Sequence, residues 1–273
     1  MIYVTGANGQ LGNELKLKLP EAIYLDREKL DLSNSSSVES FFNETKIELF
    51  INAGAYTQVD KAESEKELAM NINSEVPRLI ARYSREKNFK LIHFSTDYVF
   101  NGENCRPYLE TDEVNPVNFY GQTKLEGEKG VMSENPDSLI IRTSWVYSNF
   151  GKNFIKTMLK FGAEREALNV VFDQIGTLTS AKDLAEVTLN ARELSGIYHY
   201  SNEGVSSWYD VAHEIKRLTK FKANLLPILS TGYPTPAKRP NYSVLNKNKI
   251  KNALGIKIPH WTESLELCLR KLS

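Results

Sequence analysis

A short apolar run breaks at once into three glycines near the start of the chain: Ile2-Tyr3-Val4-Thr5 leads straight into Gly6-Ala7-Asn8-Gly9-Gln10-Leu11-Gly12. A strand followed by GxxGxxG and then a helix admits few folds. The first glycine permits a tight turn, the second lets backbone approach a pyrophosphate, and the third allows close packing of helix on strand. The helix that follows offers free N–H groups and its positive dipole end to phosphates. Position makes the run informative, because a lone glycine triplet elsewhere is an ordinary turn.

The first half of the chain repeats this alternation. Short apolar runs at Ile2–Thr5, Ala22–Leu25, Leu49–Asn52, Leu91–Ser95 and Leu139–Arg142 read as strands. Between them, Gln10–Leu19, Ser36–Thr45, Glu65–Lys87 and Tyr120–Met132 read as helices, the pattern of βαβ units. The hydroxyls of Ser35, Ser36 and Ser37 ahead of Val38-Glu39 supply an N-cap for the second helix. After about residue 145 the pattern loosens. Phe154–Phe161, Ala181–Glu193, Trp208–Leu218 and Glu263–Leu272 read as helices, Val170–Phe172 and Ile197–Tyr200 as strands. Pro227, Pro234, Pro236 and Pro240 mark the segment from Leu225 to Asn241 as a long irregular loop, a common form for a lid or binding loop. The expected fold is α/β, a doubly wound parallel sheet of Rossmann type with a smaller, partly interleaved C-terminal region. Residues 1–150 form the dinucleotide-binding unit, to which later segments such as 169–195 return, and 151–273 are mainly substrate-binding.

Composition narrows the function classes. Lys and Arg total 34 against 34 Asp and Glu, and this zero net charge argues against a nucleic-acid or membrane-surface partner. Cys105 and Cys268 stand far apart, so neither a disulfide framework nor a cysteine metal site is expected. His93, His199, His213 and His260 lack the spacing of the common zinc signatures. No apolar stretch approaches the ~18 residues of a membrane span, and the N-terminus lacks the charged flank of a signal peptide. The expectation is a reduced, cytoplasmic enzyme.

Candidate ligand-binding residues fall at the carboxyl ends of the strands. Asp26 follows the second strand, where an acidic residue binds an adenosine ribose, whereas its neighbour Arg27 suits a 2′-phosphate. Asp31-Leu32 and Asn52-Ala53-Gly54-Ala55 follow on the same edge. Tyr120-Gly121-Gln122-Thr123-Lys124 is a YxxxK that puts phenol and ammonium on one helix face. A nearby ammonium favours phenolate and lowers the pKa of the phenol. The motif alone says little: with 13 tyrosines in a lysine-rich chain, about one match arises by chance, and Tyr83-Ser84-Arg85-Glu86-Lys87 is a second. Position separates the two. Tyr83 falls late in a helix, at the sheet's amino edge, and reads as a packed aromatic beside a surface lysine. Tyr120 opens a helix after a strand that ends in Ser95-Thr96-Asp97, on the carboxyl side with the glycine loop.

Together GxxGxxG, NAGA, a hydroxyl after strand four and YxxxK resemble the extended short-chain dehydrogenase/reductases. Within them, Val59-Asp60-Lys61-Ala62-Glu63, Ser95-Thr96-Asp97-Tyr98-Val99-Phe100, Arg142-Thr143-Ser144-Trp145-Val146-Tyr147, Asp173-Gln174-Ile175-Gly176 and Tyr233–Pro240 are similar to the dTDP-4-dehydrorhamnose reductase family. The likeness runs nearly the length of the chain. It implies reduction of the C4 ketone of dTDP-4-dehydro-L-rhamnose by NADPH or NADH, with Thr96, Tyr120 and Lys124 catalytic. It implies a cofactor lined by Gln10, Leu11, Asp31, Leu32, Ala53, Gly54 and Tyr56 beside Gly6, Gly9 and Gly12. Thr96, Asp97 and Trp145 would contact the nucleotide-sugar, and Arg239 would pair with its pyrophosphate. Another 4-ketosugar reductase or epimerase shares these motifs. So does a non-catalytic NADP-binding subunit like the regulatory subunit of methionine adenosyltransferase, although intact Thr96, Tyr120 and Lys124 speak against a dead site.

Some members of the resembled family carry Mg²⁺ at a dimer interface through three glutamates. Here Glu14 matches the first, while Lys182 and Lys271 stand in the places of the others. An ammonium has no lone pair to give a cation. The expectation is no metal, Glu14 paired with one of these lysines, and either a monomer or a homodimer not linked by metal.

Overall fold

The computed structural model describes residues 1–272. In chain order the first half contains β1 (Ile2–Thr5), α1 (Gln10–Lys18), β2 (Ile23–Leu25), α2 (Ser35–Glu44), β3 (Leu49–Asn52), α3 (Val59–Ala62), α4 (Lys66–Met70), α5 (Val76–Glu86), β4 (Lys90–Thr96), α6 (Phe119–Glu134) and β5 (Leu139–Thr143). A π-helical turn, Asn71–Glu75, joins α4 to α5, so the single helix expected over Glu65–Lys87 is broken by an inserted residue. Asn34, not a serine of the Ser35–Ser37 run, caps α2: its side chain accepts from Ser37 N. The run begins one residue too late, because the cap must still be extended backbone, as Asn34 is.

The second half adds β6 (Val146–Tyr147), α7 (Phe154–Glu164), β7 (Ala167–Val171), β8 (Ile175–Gly176), β9 (Thr179–Ser180), α8 (Ala181–Asn190), β10 (Gly196–His199), β11 (Ser206–Ser207), α9 (Trp208–Thr219), β12 (Asn224–Ile228), α10 (Asn248–Leu254) and α11 (Trp261–Leu269). Six parallel strands form the main sheet in the order β10-β5-β4-β3-β1-β2. Strand order reverses beside β1, and in such sheets ligands bind at the carboxyl ends where the order reverses. The chain thus leaves the sheet after β5 and returns to it: α8 packs on α1 and β10 adds to the β5 edge. β7 does not return, but pairs with β12 in a separate two-stranded sheet. That strand occupies the start of the segment expected to be irregular, and its Pro227 is tolerated because β12 has a neighbour on one side only.

Period-2 alternation puts two cores on the two faces of the sheet. Val4, Ile51, Ile92 and Ile141 face α1, α8 and α10 through Leu15, Leu184 and Ile250. Tyr3, Phe50, Leu91 and Ile140 face α2, α5 and α6 through Phe42, Ile80 and Val131. A third core, with Ile155, Leu168, Val211, Ile215 and Leu265, holds the C-terminal layer together.

Candidate active site

The glycine loop is built by close approach of backbones. Gly6 has φ +69°, a left-handed conformation, and a Cβ there would lie 2.5 Å from Ala53 O. A Cβ on Gly12 would collide with the Gly6 carbonyl, so α1 starts hard against the loop. Around it opens a cleft of about 880 Å³. Gly6, Gly9, Gln10, Leu11, Gly12, Asp26, Arg27, Asp31, Leu32, Ala53, Gly54, Tyr56, Tyr120 and Lys124 all line this one cleft. The buried Ser95 hydroxyl also faces it and has no hydrogen-bond partner among the described residues. A glycine cradle, a helix N-terminus and an orphaned hydroxyl in one cleft fit a dinucleotide.

After β2 the two conflicting signals stay side by side in the cleft wall. Asp26 Oδ1 accepts Lys29 N at 3.1 Å, while exposed Arg27 donates from Nε to Asp31 Oδ2 at 3.4 Å. Asp31 is held below the usual carboxylate range chiefly by the Ser33 hydroxyl and backbone. At the opposite lip, Gln10 donates to Val146 O and accepts from Asn153, tying the segment from β6 to α7 over the glycine loop. That segment brings Lys152 to the cleft, a cation the sequence reading did not single out.

Tyr120 and Lys124 come from the first turns of α6, capped by Asn118, whose side chain accepts from Gly121 N. The expected depression of the phenol by the ammonium does not occur in this geometry. Burial, and then the Asp97 carboxylate, push the Tyr120 pKa above its ordinary value, with only the Thr96 hydroxyl opposing them. Lys124 turns instead to Phe94 O at 2.6 Å and His93 Nε2 at 3.4 Å, and burial brings its own pKa down to about 8. A phenol that keeps its proton is suited to act as an acid.

The residues expected to meet substrate do not line the cleft themselves, but Thr96 and Asp97 follow Ser95, and Trp145 precedes Val146, which do. Thr96 ends β4, accepts from Tyr98 N and donates to Asp97 Oδ1 at 3.0 Å. Asp97 is buried, its Oδ2 has no hydrogen-bond partner among the described residues, and burial lifts its pKa to about 7. Trp145 has φ +46°, rare for a bulky residue, and stacks on Trp208 with centroids 3.7 Å apart. Trp208, the first residue of α9, went unnoticed in the sequence because it is 63 positions from Trp145. Arg239 departs from expectation. Its guanidinium is engaged bidentately by Asp60, at 2.5 and 2.8 Å, so it is not free for a pyrophosphate in this conformation. Asp60 also accepts Ala237 N, so α3 fastens the proline-rich loop.

Glu14, Lys182 and Lys271 line one small cavity. Burial raises the Glu14 pKa, and Lys271, Lys182 and Lys18 pull it back from a distance. The expected direct pairing is not formed: among the described residues no cation lies within ion-pair distance of Glu14. Two ammonium groups facing one carboxylate do not fit a divalent cation, whose ligands are oxygens.

The family model described as "RmlD substrate binding domain" matches residues 1–273. A Burkholderia thailandensis protein named dTDP-4-dehydrorhamnose reductase is 38% identical over 295 residues, which cover 99% of this chain and 98% of that protein. The crystal structure of a dTDP-4-dehydrorhamnose reductase from Clostridium acetobutylicum superposes with TM-score 0.95 at 42% identity, covering 99% of both chains. That of the Bacillus anthracis dTDP-4-dehydrorhamnose reductase in complex with NADP has TM-score 0.95 at 38% identity, covering 99% of this chain and 98% of that one. Over its whole length, then, the chain belongs to the RmlD substrate-binding-domain family of dTDP-4-dehydrorhamnose reductases.

Proposed function

We propose that this protein reduces the C4 ketone of dTDP-4-dehydro-L-rhamnose to dTDP-L-rhamnose, using NADPH or NADH. The observation that carries the reading is the meeting of Tyr120 and Lys124 with the glycine loop in one cleft, with the Thr96 hydroxyl against Tyr120. The bound nicotinamide supplies a hydride to the sugar carbon. Tyr120, kept protonated by burial, gives its proton to the sugar oxygen as charge builds there. Thr96 turns its hydroxyl from Asp97 to that same oxygen and stabilises it. Lys124 holds the nicotinamide ribose. Gly6, Gly9, Gly12, Gln10 and Leu11 carry the pyrophosphate, and Asp31, Leu32, Ala53, Gly54 and Tyr56 line the rest of the cofactor cleft. Asp97 and Trp145 meet the nucleotide-sugar, Trp145 on the platform that Trp208 supports. Arg239 reaches substrate only by leaving Asp60.

Stoichiometric NADPH oxidation with dTDP-4-dehydrorhamnose, run beside a panel of other nucleotide ketosugars, tests this. Turnover confined to a different ketosugar would replace the substrate, and tight NADPH binding without turnover would make the protein a binding subunit. The same assay is expected to be indifferent to EDTA and Mg²⁺. Activity or a dimer lost on chelation and restored by Mg²⁺ would place a metal that Lys182 and Lys271 argue against. With Asp26 repelling a 2′-phosphate and Arg27 attracting one, both nicotinamides should serve within about tenfold, ~1.4 kcal/mol. Arg27→Ala should weaken NADPH and spare NADH; an unchanged ratio of the two Kd values removes Arg27 from the site.

A further inference from the structure

Beneath the cleft lies an unbroken row of buried polar groups that the mechanism above leaves unused. Thr5, Asn52 and His93 are register partners on the adjacent strands β1, β3 and β4, all at most 1% exposed, on the face that meets α6. Gly54 N donates to Thr5 Oγ1 at 3.1 Å, and Thr5 donates to Asn52 Oδ1 at 2.7 Å. Asn52 Nδ2 donates to His93 Nδ1 at 3.1 Å, and His93 Nε2 faces Lys124 Nζ at 3.4 Å. Both ends of the row, Thr5 with Gly54 and Lys124, open on the cofactor cleft.

Counting hydrogens gives the row two states. A neutral imidazole has one N–H and one lone pair. With Asn52 donating to Nδ1, Nε2 carries the hydrogen, and Lys124 must accept it as a neutral amine while donating to Phe94 O. If Lys124 is an ammonium, Nε2 must instead accept from it. Nδ1 then carries the hydrogen, and the Asn52 amide must turn over to accept it and donate to Thr5. A doubly protonated ring is excluded, because burial and the neighbouring ammonium hold His93 well below its ordinary pKa.

We propose that His93 is a positioning residue for the reduction: by exchanging its tautomer together with an Asn52 amide flip, it holds Lys124 in place in either protonation state. No proton passes beyond the ring; the tautomer exchanges with solvent while the amide rotates. The inference rests on the reading of Lys124 as part of the catalytic site. The charged groups around the pair are few. On α6 itself, Glu128 raises the Lys124 pKa, and Arg142 from β5 is bound bidentately by that glutamate. From β4 only the Phe94 carbonyl and His93 reach the ammonium, and Tyr120 on α6 is a neutral phenol.

Nitrogen NMR of histidine-labelled protein tests this without any substrate. His93 should exchange its hydrogen from Nδ1 to Nε2 as pH rises through the Lys124 titration, and in Lys124→Met it should stay in one tautomer. A single tautomer throughout in the wild type, or exchange that persists in Lys124→Met, overturns the proposal. Cofactor binding gives a second readout. Removing an acceptor from the ammonium disfavours the charged form, so His93→Leu should move the alkaline limb of NADPH affinity down by about one pH unit. His93→Gln, which keeps an amide donor and acceptor, should restore it. A His93→Leu limb unmoved while Tm falls reduces His93 to packing. Because the NMR result needs no turnover, failure of the ketosugar assay and failure of this proposal are separable.

Discussion

The chain carries the same five-residue spacing twice, and the two copies end in opposite environments. Tyr83 of α5 lies stacked on Phe42, centroids 5.4 Å apart and planes 15° apart, within the core beneath α2. Its partner Lys87 is exposed and caps the end of α2, donating to Phe42 O at 2.5 Å and Asn43 O at 2.9 Å. Tyr120 meets Tyr98 edge-on and the Thr96 hydroxyl, and its partner Lys124 is 2% exposed on the edge of the cofactor cleft. Spacing fixes only that two side chains share a helix face. Whether that face opens at the amino or the carboxyl end of the sheet decides whether the pair packs into the core or lines the cleft.

The largest separation between the copies should be in turnover. Tyr120→Phe is expected to lower kcat by about 10²-fold or more, the scale of a lost general acid, with cofactor Kd barely changed. Tyr83→Phe keeps the ring on Phe42 and should leave kcat where it was. Equal losses in both variants would break the comparison.

The pH profile sharpens it. Lys124 is brought to about 8 by burial, so its ammonium is present below that pH and disappears above it. If the charge helps to hold the cofactor ribose, affinity for NADPH should decline by about tenfold per pH unit above pH ~8, the full slope of a one-proton loss. Lys87→Met should show the same decline, and Lys124→Met should show none. A profile flat to pH ~10 in the wild type would mean the ammonium is not used.

How much of this was readable in the sequence depended on distance along the chain. The five strands of the first half were legible to within a residue or two because each is a local apolar run, and a parallel sheet needs no more than that. That the glycine loop, Asp26–Leu32 and Ala53–Tyr56 share one cleft has the same origin, since each stretch follows closely on β1, β2 or β3. Pairings across long separations were not. Nothing near Asp60 announces Arg239, 179 residues away, and a free guanidinium in a proline-rich loop reads as a phosphate ligand until its carboxylate is found. The π-turn was hidden too. It places Asn73 to bind both Tyr56 N and O and the Thr123 hydroxyl, joining the cofactor lip to α6 by contacts that helix propensity cannot register. The Tyr120 pKa was misjudged by the same blindness: spacing put an ammonium near, but Phe94 O and His93, supplied by another element, drew it away.

The smallest expected effect falls on the second copy's lysine. Lys87 satisfies two carbonyls at the C-terminal end of α2, where a cation also meets the negative end of the helix dipole. Its ammonium is near the surface, so solvent screens much of that interaction, and water replaces the lost donors when it is removed. Lys87→Met should therefore cost about 0.5–1 kcal/mol, read as a fall in Tm of about 1–4 °C. It should leave kcat and both cofactor affinities unchanged, since no residue of the cleft touches Lys87. A loss of turnover with Tm intact would show that α2 carries something to the site after all, and the line drawn between the two copies would have to move.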